Sequence, residues 1–176
     1  ATLTSLAILE GIRFQLGGSN ASMRFPEPLT LRIATHFFPE ASKVVQESGY
    51  PSTSEVRDED DELLGYLLRT SPSSDSIVGY QGPTDCTIGL NIDHQVVGIL
   101  IGKTYDNEEY VETIRGDDYF RNLFNGMTVS ELGGLNLEVA EVEGVSGATM
   151  TSMAVARGLL KAAQDEKTFR KRVRSE

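Results

Sequence analysis

The sequence predicts an α+β fold, an antiparallel β-sheet with flanking helices. Three observations carry that expectation. Residues 84–92 and 95–102 are apolar runs joined by Asp93-His94, a two-residue connection suited to a β-hairpin. The other strand-like runs are mostly adjacent, without the strand–helix alternation of a doubly wound parallel sheet. Near the C-terminus Met153, Ala156, Leu160 and Ala163 form one helical stripe, widened by Val155 and Leu159 and free of proline.

Taken in order, Leu3, Leu6, Ile8, Leu9, Ile12 and Leu16 fit a short helix or an extended arm, ending at Gly17-Gly18. Residues 30–47 read as helix, interrupted or restarted at Pro39, because proline is tolerated only in a first turn. Residues 52–62 are polar and acidic and read as a solvated loop. The run Asp58–Glu62 lacks the alternating ligands and turn glycine of a calcium loop. A strand is expected over 63–70, then a serine-rich turn over 71–76 and the short apolar run 77–80. His94, in the hairpin turn, reads as exposed. Short helices are expected over 108–114 and 117–124, and Asn125-Gly126 and Gly133-Gly134 are turn signals. Residues 137–143 alternate through Leu137, Val139, Ala140 and Val142 and read as a strand leading into the last helix. The expected division is a helical extension over 1–50 packing on the domain, the domain proper over 51–166, and a basic tail over 167–176.

At 176 residues the chain suffices for one well-buried domain, and its 39% hydrophobic content fits a globular protein. A net charge of -10 argues against general nucleic-acid binding, which depends on clustered Lys and Arg. Residues 167–176 nevertheless hold five of the 16 basic residues and one of the 26 acidic ones. That tail suits a solvated helix end or the flank of a membrane segment outside this sequence. Cys86 is alone, so no internal disulfide is possible, and it reads as a small buried side chain. His36 and His94 lack partners in sequence, and no metal site is expected. No stretch approaches the roughly 20 apolar residues of a membrane helix. Without an initiating Met the chain looks trimmed, so a signal peptide or anchor would have been removed with the trimming.

The stretch that organises the chain is Glu143-Gly144-Val145-Ser146-Gly147-Ala148-Thr149-Met150-Thr151-Ser152, a tight turn feeding the C-terminal helix. Ser146 stands where an N-cap belongs, and Gly144 and Gly147 remove side chains beside it. Free N–H donors, a partial positive charge and the hydroxyls of Ser146, Thr149 and Thr151 suit an anion, most simply phosphate. The same residues also suit an ordinary capped helix.

The run from Ser146 to Ser152 resembles the Ser/Thr-Gly-Ala-Thr-x-Thr/Ser signature of an FMN-binding domain. That domain is shared by the flavin subunits of Rnf and of sodium-pumping NADH:quinone reductase, and by the periplasmic domain of the nitrous-oxide-reduction regulator. Two further segments are in register with it. Gly79-Tyr80-Gln81-Gly82-Pro83 is similar to the element preceding the family's central hairpin, and Phe37-Phe38-Pro39-Glu40-Ala41 to a segment near the start of its domain. Glu143 stands where the family usually has aspartate. Residues 104–110 depart from the Glu-Thr-Pro segment of many relatives, which is closer to the regulator-like branch.

The resemblance implies an extracytoplasmic electron carrier with FMN attached to Thr151 through a phosphoester bond, at the N-terminus of the C-terminal helix. A separate flavin transferase would take FMN from FAD with a divalent metal, and this chain, needing no general base of its own, would be its substrate. Implied cofactor contacts are Ser146, Gly147, Ala148, Thr149, Met150 and Ser152 around the phosphate. Tyr80, Gln81, Gly82, Tyr105, Asp106 and Asn107 would lie along the flavin, with Tyr80 or Tyr66 flanking the ring. Redox partners would be iron–sulfur or quinone-linked membrane subunits, with the domain tethered to the membrane on the periplasmic side. The alternatives are a non-redox anion-sensing or interaction domain, and a flavoprotein with exchangeable FMN.

Overall fold

A computed structural model describes residues 22–46, 52–140 and 142–173, so the expectation for residues 3–16 lies outside the described residues. The architecture is α+β. Five antiparallel strands run in sequence order: β1 (Lys43–Gln46), β2 (Thr53–Arg57), β3 (Leu63–Arg69), β4 (Thr84–Leu90) and β5 (Val96–Thr104). Helix α1 (Leu31–Phe37) precedes them; α2 (Glu108–Arg115), α3 (Asp118–Asn122), α4 (Val129–Leu132) and the long α5 (Thr149–Val173) follow.

β4 is buried on both faces because each face of the sheet carries its own apolar layer. On one, Leu68, Ile88 and Leu90 meet Val111, Phe120, Phe124, Leu132 and the α5 residues Val155, Ala156 and Leu159. On the other, Val56 and Leu67 meet Ala34 of α1, with Phe37 and Phe38 packed beside them. The aromatic pair comes this close because two strand positions lack side chains. A Cβ at Gly89 would lie 2.5 Å from Phe37, and one at Gly65 2.6 Å from Phe38.

Three expectations about secondary structure are corrected. The helix expected over 30–47, interrupted or restarted at Pro39, does not resume after Pro39. The helix ends at Phe37, Ala41 N–H closes a turn on the Phe38 carbonyl, and 43–46 form β1. Val44 and Val45, β-branched and poor helix formers, pair there with Val56 and Glu55. The polar stretch 52–62 accordingly contains β2, so the sheet draws β1 from the segment read as a helical extension. Residues 137–140 form a turn, and 142–143 are not strand either. Asn136 Oδ1 accepts the N–H groups of Glu138 and Val139, which favours a helical turn, and Val139 is 81% exposed.

The β4–β5 hairpin is present with a longer connection than two residues. Asn91 N–H pairs with the Gln95 carbonyl, and Asn91 Oδ1 takes the N–H groups of Asp93 and Gln95. His94 adopts a φ of 58° and stacks on Tyr66 at 4.6 Å, half-buried rather than exposed. Cys86 is buried as expected, and burial pushes its thiol well above the usual range. Among the described residues no helix is long and apolar enough to cross a membrane.

Leu159 is fully buried where α5 meets the sheet. Leu159→Ala is expected to lower unfolding free energy by about 2–5 kcal/mol, read from the urea midpoint at unchanged slope.

Candidate functional site: the start of helix α5

The turn before α5 is built from local bonds. Ala148 N–H closes on the Val145 carbonyl at 2.9 Å, and Gly147 takes a φ of +80°, a conformation that disfavours a Cβ. Val145 and Ala148 are buried and anchor the turn to the core. Ser152 Oγ accepts Val145 N–H at 2.9 Å and donates to the Thr149 carbonyl at 3.1 Å, fastening the turn onto the helix. The helix begins at Thr149, two residues later than a Ser146 N-cap would place it, and Ser146 is exposed within the turn. Ser152 N–H bonds the Ala148 carbonyl, which leaves the amides of Thr149, Met150 and Thr151 at the helix entrance without an intrahelical i−4 acceptor.

These residues line a cleft of about 340 Å³ formed by Tyr80, Tyr110 and residues 147–151. The two tyrosine rings meet edge to face, centroids 5.3 Å apart at 86°. Tyr80 is 53% exposed and Met150 62% exposed, so the cleft opens to solvent on their side.

Behind the cleft lies Asp106, 8% exposed, in the link between β5 and α2. Thr151, 1% exposed, donates its hydroxyl to Asp106 Oδ2 at 2.8 Å. The same carboxylate accepts the N–H of Tyr80 at 2.8 Å, of Gln81 at 2.7 Å and of Asn107 at 2.8 Å. Burial alone raises this carboxyl's pKa. The hydrogen bonds from Thr151, Asn107, Gln81 and Tyr80 together outweigh it and hold the group below the usual carboxylate range. Gly79 makes the approach possible, since a Cβ there would lie 2.0 Å from Asp106 Oδ2 and 3.1 Å from Thr151 Cα.

The donor set suits a phosphate joined to a planar aromatic group. The helix entrance borders the cleft with amides that lack intrahelical acceptors, a tyrosine pair offers a surface for a ring, and the adjacent carboxylate is already saturated with donors. The cleft volume falls within the usual range for ligand sites.

Residues 79–164 match the FMN-binding domain family. This stretch of the chain belongs to that family. One component of the Na(+)-translocating ferredoxin:NAD(+) oxidoreductase complex of Acetobacterium woodii is 29% identical over 103 residues, covering 56% of this chain and 47% of that component. The chain thus spans about half the length of the curated relative it matches.

Within the FMN-binding domain, Gly147, Ala148, Thr149, Met150, Thr151 and Tyr80 share the cleft, and Asp106 touches Thr151. Gln81 and Gly82 contribute backbone. Gln81 N–H binds Asp106, and Gly82 lies so close to Tyr105 that a Cβ would be 2.4 Å from its carbonyl oxygen. The Tyr105 hydroxyl donates to the Arg24 carbonyl at 3.0 Å and its ring packs against Phe25, away from the cleft lining. Asn107 caps α2, accepting Glu109 N–H at 3.0 Å. Tyr66 does not flank the site; it stacks on His94, with Arg170 of the far end of α5 over its ring.

Two residues of the site went unread in the sequence. Tyr110 carries no local signal beyond its place in a short helix. Gly79 stands at the head of the Gly-Tyr-x-Gly element, yet only the fold reveals that Asp106 fills the space its missing side chain leaves. The resemblance implies no need for a base within the chain, yet the structure sets a carboxylate on the Thr151 hydroxyl.

Because the folded chain binds the Asp106 proton less readily than the unfolded chain, its carboxylate contributes stability that is complete above the ordinary value of 3.8. That contribution is lost as pH falls through the lower folded-state value. The stability gap between wild type and Asp106→Asn is expected to stay constant from neutral pH down toward 3.8 and to close below it, measured by urea unfolding across pH.

Proposed function

We propose that this chain is an extracytoplasmic electron-transfer domain whose FMN is attached through a phosphoester bond to Thr151 by a separate flavin transferase. The observation that carries the reading is the position of the Thr151 hydroxyl. It lies in the first turn of α5, at a cleft lined by residues 147–151 of the helix entrance and by two tyrosines. The electron-transfer role is supported by the similar protein from Acetobacterium woodii, whose name places it in a ferredoxin:NAD(+) oxidoreductase complex.

FMN, when bound, supplies the electron-carrying chemistry. The chain's own residues bind and position. The amides of Thr149, Met150 and Thr151 would hold the phosphate, and Tyr80 and Tyr110 would hold the ring. In attachment, Thr151 Oγ1 bonds to the phosphorus of the FMN half of FAD, the bond to AMP breaks, and AMP departs with the electron pair. A tether of this kind retains the flavin where a dissociated one is not readily replaced, which supports the extracytoplasmic reading. Iron–sulfur or quinone-linked membrane subunits are the proposed redox partners.

The burial of Thr151, with its hydroxyl already engaged, favours a second reading in which FMN binds the same cleft and exchanges. Co-expression with a flavin transferase in secreted form separates the two. Covalent attachment predicts a gain of FMN less one water in intact mass, with flavin fluorescence surviving denaturation, and both signals vanish in Thr151→Ala. Flavin released wholly into the supernatant on unfolding, with no mass gain, would establish the exchangeable reading.

A further inference from the structure

We propose that Asp106 readies the Thr151 hydroxyl for phosphoryl transfer, holding it by a hydrogen bond, aiming its lone pairs into the cleft and taking its proton as the ester forms. The proposal rests on the reading of Thr151 as the attachment site. It assigns to the chain that is modified a role otherwise expected of the transferase.

The geometry is that of a fixed acceptor. Oδ2 stands 2.8 Å from Thr151 Oγ1. Three backbone N–H groups from two separate segments, Tyr80 and Gln81 on one side and Asn107 on the other, hold the carboxylate in place. With its proton committed to Oδ2, Oγ1 keeps its lone pairs for the side of the cleft. Among the described residues Asp106 is the hydrogen-bond acceptor of this hydroxyl, and no histidine or second carboxylate bonds to it.

The step balances within this arrangement. The Oγ1–P bond forms as the P–O bond to AMP breaks, the electron pair leaves on AMP, and the hydroxyl proton passes to Asp106 Oδ2 and from there to water. An aspartate accepts the proton of an attacking hydroxyl in the same way in protein kinases. A weakly basic carboxylate suffices, because in a loose phosphoryl-transfer transition state the nucleophile is only slightly bonded and its orientation counts for more than the strength of its base.

The test uses the wild-type chain, Asp106→Asn and Gly79→Ala with purified transferase, FAD and magnesium, following the mass gain of FMN less water against time. The Asn variant can still accept the Thr151 hydrogen bond but cannot take its proton. Gly79→Ala keeps the charge but drives a methyl group against Oδ2. Both are expected to lower the labelling kcat about 100-fold with KM for the chain substantially unchanged, as loss of a proton acceptor does. Circular dichroism establishes which variants are folded, and either one decides alone. A folded variant labelled at the wild-type rate would overturn the role of Asp106 and leave the attachment site standing. Absence of labelling in the wild type overturns the attachment reading itself.

Discussion

The structure of the site depends on one buried carboxylate. Placing a charge out of water is costly unless hydrogen bonds replace its hydration, and Asp106 collects four of them. Its donors come from three places far apart in sequence, the 79–82 loop, the start of α2 and the first turn of α5. Each is therefore fixed by the same atom pair. The sheet prepares the meeting. Thr84 and Thr104 face each other across β4 and β5, their hydroxyls 2.7 Å apart, and Tyr105 N–H bonds the Pro83 carbonyl. The hairpin thus lays the loop before β4 alongside the link after β5, and Asp106 lies between that pair and the helix.

A second constraint divides the hydroxyls of the turn. Thr149, Thr151 and Ser152 look alike in sequence, yet each step along a helix rotates the side chain by about a quarter turn or slightly more. Ser152 points inward and is used twice to hold the turn closed. Thr149 is exposed and leans back toward the Val145 carbonyl. Thr151 points behind the cleft, at Asp106. A pattern of hydroxyls that would suit a plain cap is thus resolved into one structural member and one with a specific acceptor.

How much of this was legible follows from how local each determinant is. The hairpin, α2 and the stripe of α5 rest on spacing within single segments, and they stand where spacing puts them apart from the hairpin's longer connection. Ser146, Gly147 and their neighbours are recognisable as a turn into a helix, although the helix begins two residues later than a Ser146 cap implies because a bond from Ala148 to Val145 occupies the intervening turn. β1 was lost to a helical reading because Val44 and Val45 are committed to a strand by their pairing with β2, which spacing does not show. The alternation at 137–143 misled for the opposite reason. It has the right period, but Asn136 closes a local turn and Val139 meets no core. Asp106 stood in the sequence among residues of uncertain role, and nothing nearby singled it out. Its importance comes from partners 25, 26 and 45 positions away.

The form of the cleft also bears on what the site can do. Its floor is closely bonded, built from a helix start, a saturated carboxylate and a glycine with no room for substitution. Its rim is open: Tyr80 and Met150 are more than half exposed. A site that had to shield a reactive intermediate from water would bury its rim. A carrier has the opposite requirement, because its cofactor must be held firmly at one end while an edge stays within reach of a partner. The helix entrance at one end and an open aromatic rim at the other would meet that requirement with a single helix terminus. That arrangement is compatible with the electron-transfer role proposed above.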